Sequence, residues 1–192
     1  LEHVLFAGFS HEPAEELAAR LGKIVPAPLS HIFFSDDGST AVEVALKLAI
    51  QYWNNRGRPE KHRIVALENA YHGDTVGAMS VSGDSPFTGA FDSLRIPVLR
   101  THAPYCAHCP VGPARGTWHI ECLKTLEQLF SERSHEIAAI IVEPLLQGAG
   151  GMIVHPEEFL AGVRRLTAAH DVLLIADEVL TGFGRTGRMF AC

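Results

Sequence analysis

The sequence predicts a three-layer α/β/α fold, with helices on both faces of a mostly parallel sheet, and three observations carry that expectation. Short apolar runs at 63–67, 137–142 and 172–175 have the length and unbroken hydrophobicity of strands buried on both faces. Amphipathic stretches of helical period lie between them, so strand and helix alternate at least four times once a further apolar run at 31–34 is included. The runs end in loops rich in glycine, hydroxyls and acids, as expected at the carboxyl edge of a parallel sheet, where ligands bind.

Composition sets outer bounds. A chain of 192 residues with 47% hydrophobic content can bury a core and reads as one large domain or part of one. Its net charge of −6 gives no electrostatic reason to expect nucleic acid or an anionic membrane as partner. No apolar run approaches the roughly 18–20 residues of a membrane span, and no basic segment with an apolar follow-on opens the chain, so a cytoplasmic protein is expected. The four cysteines are too few for a disulfide framework and read as free thiols. Leu1 opens without Met, and Cys192 follows the apolar, uncapped Met189-Phe190-Ala191, so a fragment cut at both ends is expected.

Taken in order, residues 12–21 predict a helix, with Ala14, Leu17, Ala18 and Leu21 on one face, Ser10 as N-cap and Pro13 in the first turn. Pro26 and Pro28 then interrupt the pattern before the strand expected at 31–34. That strand runs into Ser35-Asp-Asp-Gly-Ser-Thr40 and a strong helix over 41–53, with Val42, Ala45, Leu46, Ala49, Ile50 and Trp53 on one face. A glycine and hydroxyls at a helix start make an anion site, because the first-turn amides lack partners and the dipole is positive there, so Gly38, Ser39 and Thr40 are candidates for a phosphate. The alternative is that Ser39 or Asp37 simply caps the helix.

Residues 54–61 are a turn and 63–67 a strand ending in Glu68-Asn-Ala-Tyr-His-Gly-Asp-Thr75. Tyr71 at that strand end is placed to lie against a planar ligand; otherwise it packs under a loop with His72 as an ordinary polar contact. Residues 82–119, rich in Gly, Pro, Ser and His, are expected to be an irregular excursion. Its Cys106-Ala-His-Cys109 is half of a zinc signature without the second pair, so it reads as two loop thiols and no metal is expected. A helix is expected over 117–133, a strand over 137–142 ended by Glu143-Pro144, a loop at Gln147-Gly-Ala-Gly-Gly151, and a helix over 159–169 led by Glu157 and Glu158. The strand at 172–175 runs into Asp177 and Glu178. A carboxylate there needs a cationic partner, since ionised Asp is rarely buried without one. Gly182, Gly184 and Gly187 suit the irregular loop that follows, where Arg185 can offer its planar fork to another carboxylate.

A phosphate nest, an aromatic and an acid on one sheet edge suit a flat, phosphorylated, nitrogen-containing ring. Pyridoxal 5′-phosphate (PLP) has that form, with a pyridinium nitrogen that pairs with a carboxylate. The combination of Ser-Asp-Asp-Gly-Ser-Thr, Ala41-Val-Glu-Val-Ala-Leu-Lys47, Tyr71-His-Gly-Asp74, Val142-Glu-Pro144, Ala176-Asp-Glu-Val179 and Thr181-Gly-Phe-Gly-Arg-Thr-Gly187 resembles the class III aminotransferases of fold type I. Gln51-Tyr52-Trp53 and Gln147-Gly-Ala-Gly-Gly151 are most similar to the branch that aminates 8-amino-7-oxononanoate in biotin biosynthesis.

The resemblance implies that the whole chain is the central part of the PLP-binding large domain of such an enzyme. It implies Gly38 and Ser39 on the cofactor phosphate, Tyr71 stacked on the ring and facing substrate, Asp177 at the ring nitrogen, and Asp74 and Arg185 on the substrate side, within reach of pairing with each other. It also implies a homodimer and a ping-pong transamination, with S-adenosylmethionine or lysine as donor and 7,8-diaminononanoate as product. Relatives acting on ornithine or γ-aminobutyrate carry Glu where this chain has Ala149 and Gln where it has Leu180, which disfavours those substrates. The Schiff-base lysine is expected beyond Cys192, so no catalytic residue is assigned here. Lys23, Lys47, Lys61 and Lys124 fall on expected helices or turns with no reason to be desolvated, and the chain alone is expected to be inactive. A non-catalytic ligand-binding protein of the same fold stands as the alternative. A dinucleotide-binding protein is disfavoured because no G-x-G-x-x-G follows the first strand.

Overall fold

The computed structural model describes residues 5–27, 29–86, 88–105 and 121–192. In chain order its elements are α1 (Glu12–Leu21), α2 (Gly38–Asn55), β1 (Arg63–Leu67), α3 (Val76–Val81), a 3-10 turn (Gly89–Leu94), β2 (Leu99–Thr101), α4 (Glu121–Arg133), β3 (Ile137–Val142), β4 (Leu146–Gln147), β5 (Ile153–Val154), α5 (Glu157–Ala169) and β6 (Leu173–Ala176). Four strands form one parallel sheet in the order β2-β1-β3-β6, and β4 and β5 make a short antiparallel hairpin.

The sheet is buried on both faces because its strands are apolar on both. Every residue of β3 is buried, so neither face can be left to water. Alternate residues feed two cores. Val65, Leu67, Ile140 and Val142 share one cluster with Leu126 and Phe130 of α4 and Phe159 and Val163 of α5. Ile64, Ala66, Ala138 and Ile141 share the other with Val42, Leu46, Ala49 and Trp53 of α2 and Ala78 and Val81 of α3. The two layers follow from topology. The step from β1 to β2 goes one way along the sheet through α3, and the steps to β3 and then β6 go the other way through α4 and α5. Crossovers of one hand in opposite directions put their helices on opposite faces. The order therefore reverses between β1 and β3, and a crevice opens at their carboxyl ends.

Three of the four expected strands are in the sheet. The fourth, at 31–34, is not a strand: this segment is irregular, Phe33 is exposed, and Phe34 meets Phe6 at 6.1 Å between ring centroids. Apolar composition makes a strand only where a neighbour can complete its ladder, and no described strand pairs here. The remaining place is taken by β2, inside the stretch expected to be irregular; its three residues are too few to show a period. The stretch also holds the 3-10 turn, and α3 lies just before it, a six-residue helix whose Gly77 to Val81 are all buried and which therefore has no amphipathic signature. The helix expected from 117 is described only from Glu121. His11, not Ser10, caps α1, its Nδ1 accepting the Ala14 amide at 3.4 Å, while Ser10 bonds Glu15. The glycine-rich stretch after β3 is bracketed by the β4–β5 hairpin.

Candidate active site

Site residues gather where β1, β3 and β6 end and α2 begins. At the start of α2, Asp37 and Thr40 form a reciprocal capping box: the Asp37 carboxylate accepts the Thr40 amide at 2.9 Å, and the Thr40 hydroxyl accepts the Asp37 amide at 3.0 Å. Asp37 is thus the cap, and it engages the Thr40 amide. The Gly38 and Ser39 amides have no partner among the described residues, so the open part of the nest is those two. A Cβ on Gly38 would lie 3.0 Å from Val179 Cγ2, which brings the helix start against the turn after β6. The Ser39 hydroxyl accepts the Asp74 amide at 3.2 Å, and a Cβ on Gly73, at φ +124°, would lie 2.1 Å from it, so only glycine lets the two loops meet.

Asp177 follows β6 and is 9% exposed. Its Oδ2 lies 2.7 Å from His72 Nδ1, and its Oδ1 accepts the Val179 amide at 3.1 Å. A carboxylate only accepts, so Nδ1 carries the proton and His72 is the partner that a buried Asp177 requires. The other ring nitrogen, Nε2, is buried with no partner among the described residues. Tyr71 is 41% exposed; its amide donates to Glu143 Oε1 at 3.0 Å and its hydroxyl to Asp74 Oδ2 at 3.0 Å. Burial and the bond to Asp74 raise the phenol pKa. Glu143 is buried, and its Oε2 accepts the Gly148 amide at 2.9 Å. Burial raises its pKa against the pull of those two amides.

A cavity of about 440 Å³ collects Gly38, Ser39, Tyr71, Glu143, Ala149 and Asp177 on its walls. A second, of about 490 Å³, shares Tyr71 and Ala149 and adds Asp74, Asn69 and Asp84. Arg185 is exposed and lines neither. Asp74 is engaged by Tyr71 in place of the expected pairing with Arg185. Glu178 turns away from the cavity, accepting the Thr181 hydroxyl and the amides of Ala191 and Cys192, and so closes its own loop.

Two contributors were not singled out from sequence. His72 was signalled by the partner that Asp177 needed, and Glu143 by the same pattern as Asp177, an acid directly after a wholly apolar strand. The expectation that no lysine is desolvated is corrected by Lys61, which is 0% exposed and whose pKa is lowered by burial. Lys61 lies beside the start of β1, at the sheet edge remote from the cavity, and donates to the Ser134 carbonyl at 2.7 Å. No cluster of three or more His, Cys, Asp or Glu able to hold a metal occurs among the described residues; Cys106 and Cys109 lie outside them.

The residues fit PLP. The volume is within the range of small-molecule sites, two amides at a positive helix end await an anion, and a buried carboxylate faces the same space as an exposed aromatic. An open parallel sheet with this crevice is an α/β architecture that hosts many activities, and sequence comparison identifies the class: the family "Aminotransferase class-III" matches residues 1–192, and the chain belongs to it. Among its relatives, the adenosylmethionine-8-amino-7-oxononanoate aminotransferase of Geobacter sulfurreducens is 51% identical over 193 residues, covering 100% of this chain and 43% of that protein. The crystal structure of the enzyme of that name from Methanocaldococcus jannaschii superposes with a TM-score of 0.89 at 37% identity, covering 99% of this chain and 40% of that one. An amine transaminase from an uncultivated Pseudomonas species, solved with PLP bound, gives 0.88 at 36% identity, covering 98% and 43%. The chain therefore spans less than half the length of these relatives.

Proposed function

We propose that the full protein is a PLP-dependent aminotransferase of biotin biosynthesis, transferring an amino group from S-adenosylmethionine to 8-amino-7-oxononanoate to give 7,8-diaminononanoate. The observation that carries the reading is the convergence on one cavity of two unpartnered helix-start amides, an exposed aromatic and a buried carboxylate. When bound, PLP supplies a carbonyl that takes up the amino group and a ring that draws electrons from the Cα–H bond.

In this reading the Gly38 and Ser39 amides hold the phosphate, helped by the α2 dipole. The Asp177 carboxylate keeps the proton on the ring nitrogen, and His72, donating from Nδ1, holds that carboxylate in orientation. Tyr71 offers its face to the ring, and Asp74, fixed by the Tyr71 hydroxyl, gives an amino-bearing substrate a negative partner. No lysine lines the cavity, so the base that moves the Cα proton is assigned to a residue outside these 192, and the chain alone is assigned no turnover. Two copies are assigned to the working enzyme.

The likeness to amine transaminases favours a second reading, another amine and keto acid pair on the same site. The test is to supply the full reading frame with PLP and 8-amino-7-oxononanoate and, in turn, S-adenosylmethionine, lysine or a simple primary amine, and to detect 7,8-diaminononanoate by mass spectrometry. Product with S-adenosylmethionine supports the first reading. Cofactor conversion by amines without that product selects the second.

A further inference from the structure

We infer that Glu143 is a positioning residue, its buried carboxylate clamping the loop that carries Tyr71 to the loop that carries Ala149 and so fixing the aromatic wall of the cavity relative to Asp177. The inference rests on the proposed PLP reading. Each oxygen of Glu143 takes a main-chain amide from a different loop, Tyr71 at 3.0 Å and Gly148 at 2.9 Å. The same loops touch twice more: Gln147 Nε2 donates to the Glu68 carbonyl at 2.9 Å, and a Cβ on Gly150 would lie 2.1 Å from the Asn69 carbonyl oxygen. Backbone is thus packed on backbone across the point where the strand order reverses, and of these contacts between the loops Glu143 supplies the one made to Tyr71 itself.

A purely structural filler would not be a carboxylate. Glu143 is 6% exposed and faces the negative Asp177 as well as His72, so burial raises its pKa, and an apolar side chain would avoid that cost. A carboxylate can accept two amides at once; an amide side chain cannot, because one arm becomes a donor facing a donor. The Tyr71 amide belongs to the residue whose side chain forms the wall. Releasing it leaves the Tyr71 hydroxyl on Asp74 as the ring's own tether and lets the backbone beneath the ring shift, while the two other contacts keep the loops together.

The test uses the full-length protein with PLP and compares it with Glu143→Gln, Tyr71→Ala and the double variant. The readouts are the circular dichroism of the bound cofactor, which reports how the ring is held, and the affinity for pyridoxamine 5′-phosphate. Glu143→Gln is expected to cut the cofactor dichroism by about half or more and to weaken pyridoxamine phosphate by about tenfold, with no further loss when Tyr71 is already Ala. Amide hydrogen exchange at Tyr71 and Gly148 should quicken with or without cofactor. Unchanged dichroism and affinity in Glu143→Gln, or losses that simply add in the double variant, overturn the inference and leave the PLP reading standing. Absence of a cofactor band in the unmodified protein overturns both. Should Glu143→Gln not fold, Glu143→Asp, which keeps the charge at shorter reach, is expected to quicken the same two amides, and unaltered exchange there overturns the clamp.

Discussion

Both edges of the sheet bury ionisable side chains, and they do so to opposite ends. At the amino edge Lys61 is 0% exposed, donates to the Ser134 carbonyl at 2.7 Å and lies 4.4 Å over the Trp53 ring, whose indole N–H bonds the Ala138 carbonyl at 2.9 Å. Lys61 and the Trp53 indole are each matched to a carbonyl there, and Arg63 Nε, buried without a hydrogen-bond partner among the described residues, opens on neither cavity of the site. At the carboxyl edge the buried groups keep unused capacity: among the described residues His72 Nε2 has no partner, and Asp177 faces a cavity that also holds the Gly38 and Ser39 amides, likewise unpartnered there. A buried charge is therefore not by itself a sign of function. Unused hydrogen-bonding capacity that opens on a cavity is.

The widest separation between the edges is expected in rate. In the full-length, PLP-loaded protein, Asp177→Asn keeps the shape but removes the charge that holds the ring nitrogen protonated. Single-turnover conversion of the cofactor to its amine form, followed by absorbance, should slow by at least about a hundredfold, or roughly 3 kcal/mol of barrier, with cofactor still bound. A near-normal rate would show Asp177 to be no more than the cap of its own turn. Lys61→Ala should leave that rate alone and act on folding instead. Losing the stem packed on Trp53 and leaving the Ser134 carbonyl unpaired should cost about 2 kcal/mol in urea unfolding. Lys61→Met, which restores the stem but not the donor, should recover the packing part of that cost and not the hydrogen-bond part. A rate defect in Lys61→Ala at equal stability would break the contrast.

The contrast also accounts for what could be read from sequence. The three long strands, the helices over 12–21, 41–53 and 159–169 and the carboxyl-edge positions of Tyr71 and Asp177 were legible, because each rests on a local pattern longer than a turn; Ser39 reaches the cavity from the start of α2, not from the strand expected before it. Lys61 was misread because its burial arises from Trp53, which folds back on it across the turn after α2, and from Ser134, 73 residues away and brought close by the sheet. β2 and α3 were missed for a related reason: elements of three and six residues are held by neighbours rather than by their own periodicity. His72 and Glu143 show the same limit within the site, since their partners are 105 and 72 residues away.

His155 sharpens the rule because it meets only half of it. It is buried, stacked edge-on against Phe159 with centroids 5.4 Å apart, and its Nε2 has no partner among the described residues, yet it lines neither cavity of the site. Its effect should fall on stability alone. Burial lowers its pKa from 6.5 to about 4, so between those values the unfolded chain takes up a proton that the native state refuses. Stability should be intact above the upper value and decline as the pH falls through the window, by roughly 1.4 kcal/mol per pH unit from this group. Replacing it by Phe should flatten the decline when urea unfolding is compared at neutral and mildly acid pH. An unchanged slope in His155→Phe would mean that another group carries the acid sensitivity.

The smallest effect expected lies at Asp37, where structural and open polar groups occupy a single helix end. Its carboxylate caps α2 through the Thr40 amide at 2.9 Å, and it also lines the cavity beside the Gly38 and Ser39 amides assigned to the phosphate. Cap and charge can be separated. Asp37→Asn keeps the accepting oxygen, so α2 should change in stability by only a few tenths of a kcal/mol, whereas Asp37→Ala should cost about 1 kcal/mol. The lost negative charge no longer opposes a phosphate at the neighbouring amides. Pyridoxamine 5′-phosphate should then bind the full-length Asp37→Asn protein about two- to fivefold more tightly at low salt, and the gain should shrink as salt screens it. Weaker binding by Asp37→Asn would place the carboxylate on a cationic part of the ligand instead, and the phosphate would have to sit somewhere other than the start of α2.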